Sequence, residues 1–331
     1  MPNKIILNIK AVSQWFGSLR VLHDVDLQVV QGQFVALVGP SGCGKTTLLK
    51  AIQGTLPPKG GTIETDGVPV IGPNRNVGIV YQNRSLYEWL TAEKNVAFGP
   101  KLDQTAIWER FARPLHCYQL EKQNLERARE LLVKFRCENV LKHYPADLSG
   151  GQRQRVAVAQ ALIMQPKILL LDEPFSALDA HTRKSFQEML LGLYQENLEA
   201  KRNNKPPPYT VVMITHELEE AFYVSDRIVG LSKNWHQDLK KGEEISINGL
   251  PRGGRVLGES CGATKIWDKS APVYHPDDPR DFDDFFHAQK ELERVVLEGS
   301  PITVERDEHV SFWSDLEQGV GTGVTMTRSH S

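Results

Sequence analysis

The segment Gly39-Pro40-Ser41-Gly42-Cys43-Gly44-Lys45-Thr46 constrains the fold of this chain more than any other. It has the spacing G-x-x-x-x-G-K-[ST], follows the apolar run Phe34-Val35-Ala36-Leu37-Val38, and precedes a helix-periodic stretch with Leu48, Leu49 and Ile52. Strand, glycine loop and helix in that order make a cradle for phosphate groups. The glycines let the backbone aim successive N–H groups at anionic oxygens, and the helix N-terminus adds a favourable dipole. Lys45 brings a positive charge toward the outer phosphates, and the Thr46 hydroxyl suits Mg²⁺. The thiol of Cys43, inside the loop, is expected to face away while its amide contributes.

Around this cradle the pattern is α/β. Val25 to Val29 and Thr62 to Val70, the latter around the Asp66-Gly67 turn signal, predict a small antiparallel sheet. Phe34 to Val38 and Val77 to Tyr81 read as strands covered on both faces. From about Thr91 to Leu148 the pattern turns helical, with Leu125, Arg129, Leu132 and Val133 setting one side of a helix. Helix at Gln152 to Met164, strand at Lys167 to Leu171, helix from Asp179 to about Ala200 and strand at Thr210 to Thr215 then alternate, which implies a parallel sheet.

Beyond Ser232 the periodic core is expected to end. The segment 234–331 reads as a carboxy-terminal extension with an amphipathic helix at about 281–298, on Phe282, Phe285, Phe286, Gln289, Leu292, Val295 and Val296, and a mobile tail from about Glu317.

Composition excludes more than it assigns. Hydrophobic residues are 40% and charged residues 24% of the 331, typical of a folded globular protein. The net charge of -2 gives no reason to expect nucleic acid as a partner. Cys43, Cys117, Cys137 and Cys261 form no C-x-x-C pair, which fits a reducing compartment rather than a zinc knuckle or disulfide framework. No secretion signal opens the sequence, and no apolar run is long enough to span a bilayer, so any membrane role is expected through a partner.

Two acids close the strand Ile168 to Leu171. Asp172 and Glu173 thus stand at the carboxyl edge of a parallel sheet, where ligands bind. Asp172 suits Mg²⁺ or its waters, and Glu173 can orient or deprotonate an attacking water. Alone, the pair is equally compatible with a solvated turn. His216 follows the strand Tyr209 to Thr215 and could donate a hydrogen bond to a γ-phosphate, although a lone histidine is more often structural. Gln82, after the strand ending at Tyr81, can reach the metal and the helical region that follows.

With Leu148-Ser149-Gly150-Gly151-Gln152 between Gln82 and Asp172, the chain over about residues 4 to 233 resembles the ABC transporter ATP-binding subunits. The resemblance implies a P-loop NTPase of the ABC ATPase type. Its domain would span residues 1–233, with a parallel-sheet core, an antiparallel β subdomain and an α-helical subdomain at about 83–148. The resemblance assigns the phosphate loop to Gly39 through Thr47, including Thr47 itself, and Mg²⁺ to Thr46, Gln82 and Asp172. Gln82, Glu173 and His216 become the catalytic set, and Asp179 the loop linking two sites. Phe16 is the expected adenine-stacking aromatic, with Trp15 competing.

The resemblance further implies a motor working as a pair, with ATP between Lys45 and Thr46 of one copy and Ser149 and Gly151 of the other. Leu86 to Thr91 is similar to importers of the nitrate, sulfonate and taurine group, with Glu88 where that group commonly has proline; a lengthened helical region around Lys101 to Gln123 is another departure. Expected partners are a second copy or a related subunit, a membrane permease and a periplasmic solute-binding protein, at the cytoplasmic face of the inner membrane. The rival readings are an ABC-type ATPase acting on nucleic acid or the ribosome, and a nucleotide-binding scaffold that does not hydrolyse.

Overall fold

The computed structural model describes residues 4–82, 86–104, 112–233, 235–238, 255–257, 263–270, 289–290, 292–297 and 302–303. Strands β1 (Ile5–Phe16) and β2 (Leu19–Val30) form an antiparallel hairpin, and β4 (Gly60–Thr65) pairs with the other edge of β1. Between β4 and β5 (Val68–Pro69), Asp66 and Gly67 have φ of 52° and 77°, the left-handed pair that a tight hairpin turn requires.

The central strand β3 (Phe34–Val38) is buried at every position because the chain covers both of its faces. Phe34, Ala36 and Val38 enter one apolar cluster, and Val35 and Leu37 enter another, as the two-residue period of a strand demands. The sheet also holds β6 (Val77–Val80), β7 (Ile168–Asp172), β8 (Val211–Ile214) and β9 (Arg227–Ser232), all parallel, in the order β9-β3-β8-β7-β6. Helix α1 (Lys45–Gln53) leaves the carboxyl end of β3 through the glycine loop. The parallel core and antiparallel layer match the sequence reading.

Helices α2 (Ala92–Gln104) and α3 (Pro114–Lys134) build the helical subdomain, packed on α4 (Gly150–Leu162). The buried face of α3 consists of Asn124, Ala128 and Leu132, with Leu125 partly covered. Val133, which spacing put on that side, is exposed, and Arg129 instead reaches Glu93 at 2.7 Å.

Asn95, fully buried, ties the entry to this subdomain. Its Oδ1 accepts from Tyr87 N at 2.7 Å, and its Nδ2 donates to the carbonyls of Tyr87, Leu90 and Thr91 at 3.1, 2.9 and 3.2 Å. Asn95→Leu keeps the volume and strands those groups, so it should lower stability by about 2–4 kcal/mol in a urea titration.

The sheet does not end at Ser232. Strand β12 (Thr264–Ser270), from the extension, pairs antiparallel with β9 and becomes the sheet's outer strand. The expected core boundary is corrected accordingly: in the segment beyond Ser232, Lys265 is buried and Asp268 pairs with buried Arg227. Strands β10 (Trp235–Asp238), β11 (Arg255–Leu257) and β13 (Ile302–Thr303) form a separate sheet.

Of the expected helix at about 281–298, residues 289–290 and Leu292 are helical and Glu293–Leu297 forms a wide π turn; Leu292 and Val296 bury against the core cluster. Phe282, Phe285, Phe286, Cys261 and the tail from Glu317 lie outside the described residues.

Candidate functional site

The glycine loop lies at the carboxyl edge of the parallel sheet. Gly42 and Gly44 have φ of 75° and 96°, the turn geometry that only glycine adopts without strain. Gly44 is the N-cap of α1 and has no side chain to cap it, so the first amides of the helix are left to an external acceptor. Lys45 is 7% exposed, and its Nζ donates to the carbonyls of Gly39 and Pro40 at 2.7 and 3.1 Å. The charge is therefore held within the loop formed by Gly39, Pro40 and Ser41. Cys43 is buried with its Sγ 4.0 Å from Lys45 Nζ, and burial pushes its thiol up while the lysine opposes that push. Thr46 and Thr47 occupy the first turn of α1.

Gln82, Glu173 and His216 come from three different strand ends and meet. Gln82 Nε2 donates to Glu173 Oε2 at 3.0 Å and to Ser176 Oγ at 3.1 Å. His216 Nδ1 lies 3.6 Å from Glu173 Oε1. The backbone explains how Glu173 is aimed. Its N–H continues the β7–β8 ladder by donating to Ile214 O at 3.0 Å, and its φ of 46° then turns the chain sharply off the sheet. A left-handed glutamate is a local strain that the surrounding pairing must support. Ser176, which opens the stretch Ser176-Ala177-Leu178-Asp179 leading to the linking loop, carries no role of its own in the sequence reading; its Oγ also donates to Glu173 O at 3.0 Å.

Asp172 is half-buried beside Glu173. Burial pushes its carboxyl up, and the neighbouring Glu173 pushes the same way, while Lys50 and Lys45 oppose both. A cation placed there would relieve that arrangement. Among the described residues no three His, Cys, Asp or Glu side chains converge on one point, so a closed cage of such ligands is absent there. The donors at hand, the Thr46 hydroxyl, the Gln82 amide oxygen and the Asp172 carboxylate, are all hard oxygens. They fit Mg²⁺, which takes few protein ligands and completes its shell with water and substrate phosphate.

The segment Leu148 to Gln152 opens α4. Ser149 Oγ accepts from Gln152 N at 3.2 Å, and Gln152 Oε1 accepts from Ser149 N at 2.9 Å, a reciprocal capping box. Buried Leu148 anchors the segment, and Arg153 Nη1 donates to its carbonyl at 2.6 Å. Gly150 follows Ser149 on the first turn, and Gly151 packs against α5 (Ala180–Arg202), where an added Cβ would collide with Thr182 Cγ2.

Thr182 is itself fixed by Asp179, the N-cap of α5, whose carboxylate accepts from Thr182 N at 3.1 Å and Thr182 Oγ1 at 2.6 Å. Those hydrogen bonds hold the exposed Asp179 carboxyl below its usual range. Gly151→Ala should therefore destabilise by about 1–3 kcal/mol in thermal unfolding, by overpacking. Thr182→Ser, which removes the methyl and keeps the hydroxyl, should restore most of that loss.

Of the two candidate aromatics, Trp15 is partly covered and lies between Arg20 and Lys59, 5.9 and 5.7 Å from its ring centroid. Phe16 is 49% exposed at the end of β1.

The family model described as ABC transporter matches residues 22–176. The taurine import ATP-binding protein TauB of Escherichia coli O157:H7 is 40% identical over 261 residues, 78% of this chain and 91% of that protein. A sulfate/thiosulfate import ATP-binding protein CysA of Bacillus cereus is 40% identical over 245 residues, 73% of this chain and 63% of that protein, so the match spans less than two thirds of CysA. Among solved structures, the ATP-binding cassette MJ0796, dimeric and bound to ADP and Pi, superposes with a TM-score of 0.56 at 25% identity, covering 81% of this chain and 100% of that one. The cbiO1 component from Clostridium perfringens gives a TM-score of 0.60 at 19% identity, covering 94% of this chain and 99% of that one, and shows the fold.

Proposed function

The chain belongs to the ABC transporter family of ATP-binding subunits, and from that premise we propose that it binds and hydrolyses ATP to drive import of a small oxyanion solute through a separate permease. The meeting of Gln82, Glu173 and His216 beside Asp172, on the sheet edge that carries the Lys45 loop, supports the reading most directly. In it, residues Gly39 to Thr47 wrap the phosphates, Lys45 offsets their charge, and Phe16 stacks on the base. Thr46, Gln82 and Asp172 would hold Mg²⁺, which would supply charge neutralisation on the phosphate oxygens. Glu173 takes the proton of the attacking water, Gln82 fixes the Glu173 carboxylate, and His216 donates to the γ-phosphate as charge moves onto it.

Each site is completed by a second copy, whose Ser149 and Gly151 face the γ-phosphate, with Asp179 at the seam between the two sites. Closing on ATP shifts the helical subdomain and with it the permease, a population shift driven by ligand. No helix among the described residues is long and apolar enough to cross a membrane. In this reading the subunit attaches through the permease, at the cytoplasmic face. A periplasmic solute-binding protein delivers the solute. Taurine, sulfate and thiosulfate are the solutes named for the relatives, which motivates the oxyanion class.

Purified full chain should turn over MgATP. In proteoliposomes holding the permease and binding protein that copurify with it, uptake of labelled taurine or sulfate should require that turnover. No turnover, alone or in the assembly, would remove the reading. Turnover stimulated by DNA or ribosomes, without uptake, would favour the rival ATPase.

A further inference from the structure

We propose that the edge strand β12, with Ala263 just before it, positions the phosphate loop for nucleotide, so that affinity for ATP depends on a segment outside every motif of the site. The inference rests on the ATP-binding reading above and extends it to residues that reading leaves unused.

The loop is wedged between two supports. At Gly39 an added Cβ would strike the carbonyl oxygen of Leu231 on β9 and stand 2.8 Å from Cys43 Sγ. At Gly44 it would stand 2.7 Å from Leu22 Cδ2 and 3.1 Å from Val21 Cγ1 on β2. Both ends of the loop therefore press their backbones directly on neighbouring strands, and their positions follow those strands.

The same carboxy-terminal segment fastens both supports. Lys265 pairs with Leu231 and Thr264 with Ser232 in the β12–β9 ladder. One residue earlier, Ala263 N donates to Val21 O at 2.9 Å, and His23 N donates to Ala263 O at 2.8 Å. Leu22, Cys43, Leu231 and Ala263 all lie in one buried cluster. Residues 263–265 thus bridge β2 to β9 at the positions where Gly44 and Gly39 rest.

A buried ion cluster locks the bridge. Arg227, 1% exposed, donates from Nε and Nη2 to the two carboxylate oxygens of Asp268 at 2.6 and 2.7 Å, and from Nη1 to Gln28 O on β2 at 2.6 Å. Lys265 Nζ reaches Asp268 Oδ2 at 2.8 Å. Burial alone would push the Asp268 carboxyl up, but the hydrogen bonds and charges of Arg227 and Lys265 outweigh it and hold it below its usual range. One guanidinium therefore clamps β9, β12 and β2 together, and bidentate geometry makes the clamp directional.

Two variants of the full chain test the proposal, each measured for KM and kcat with MgATP and for folded fraction by circular dichroism. Ala263→Pro removes the N–H that reaches Val21 and leaves every charge in place. Asp268→Asn weakens the ion cluster; should it fail to fold because Arg227 and Lys265 are left buried without a counter-charge, Ala263→Pro carries the same readout. Positioning predicts a KM about fivefold higher for Ala263→Pro, the effect of one net hydrogen bond, with kcat at saturation within about twofold of wild type. An unchanged KM in folded Ala263→Pro would overturn the proposal. Activity that falls only in proportion to the folded fraction would overturn it too, since the strand would then be purely structural. Wild type that neither binds nor turns over MgATP, with Lys45→Ala no different, would defeat the ATP reading itself and the proposal with it.

Discussion

Glu173→Gln should leave ATP binding intact and slow turnover about 10²- to 10⁴-fold, the usual effect of removing a general base, or roughly 3 to 5.5 kcal/mol in activation free energy. The structure gives reason to expect a clean variant. The side-chain amide keeps an oxygen that can accept from Gln82 Nε2, now at 3.0 Å, and the backbone turn at φ 46° depends on the pairing with Ile214 and not on the carboxylate. What disappears is the group able to receive the proton of water.

The ATP-bound pair should then become long-lived, and light scattering with MgATP should show a dimer that is absent without nucleotide. A second change, Ser149→Arg, should abolish it by placing bulk and charge against the partner's γ-phosphate site. Wild-type turnover in Glu173→Gln would mean that another group is the base. An inactive variant that binds ATP yet stays monomeric at high concentration would count against pairing by this subunit alone.

Much of the fold is legible in the sequence because its strands are covered on both faces. Phe34 to Val38 and Ile168 to Leu171 are unbroken apolar runs, and no alternative placement buries them as well. The positions of Asp172, Glu173 and His216 follow, since a residue just past a buried parallel strand has only the ligand edge to occupy. Gln82 is less legible because nothing local distinguishes it; its meeting with Glu173 is a tertiary fact.

Buried charge is the least legible part. The place of Thr264 to Ser270 in the sheet leaves no local mark, because nothing in the local pattern reveals that Arg227, far away in sequence, neutralises Asp268. Val133 failed for a related reason: helical spacing admits a broad stripe, and Arg129 reaching Glu93 shows which edge of that stripe faces outward. Ser176 and Thr182 matter through side-chain pairs, Ser176 with Gln82 and Glu173 and Thr182 with Asp179. Such pairs leave no periodic trace. Gly151 is visible as part of a motif, but its steric reason, the methyl of Thr182, appears only when α4 and α5 are seen together.

Lys45→Ala should all but abolish productive turnover while the chain stays folded. The glycines that shape the loop rest on Leu231 and Leu22, so the loop's course does not depend on the lysine. The carbonyls of Gly39 and Pro40 lose their donor, a loss of about 1–3 kcal/mol in stability unless water replaces it. Nucleotide loses a charge-assisted contact worth about 1.5–3 kcal/mol, so affinity should fall about 10- to 150-fold. Because the charge also stabilises the transferring phosphoryl group, removing it should lower kcat by a further 10²-fold or so.

The same lysine is one of two cations that oppose the upward push on Asp172. Without it the carboxyl rises further and stays protonated to higher pH. Residual Mg²⁺-dependent ATP binding in the variant should therefore fade at a higher pH than in wild type as the solution is acidified. Lys45→Arg, which restores the charge but not the compact ammonium, should bring the pH profile back toward wild type while recovering only part of the turnover. Titration with a fluorescent ATP analogue across pH, alongside steady-state kinetics, reads both effects. A kcat/KM near wild type in Lys45→Ala would remove the phosphate-cradle assignment. A pH profile that does not move would show that Asp172 is not coupled to the loop through this charge.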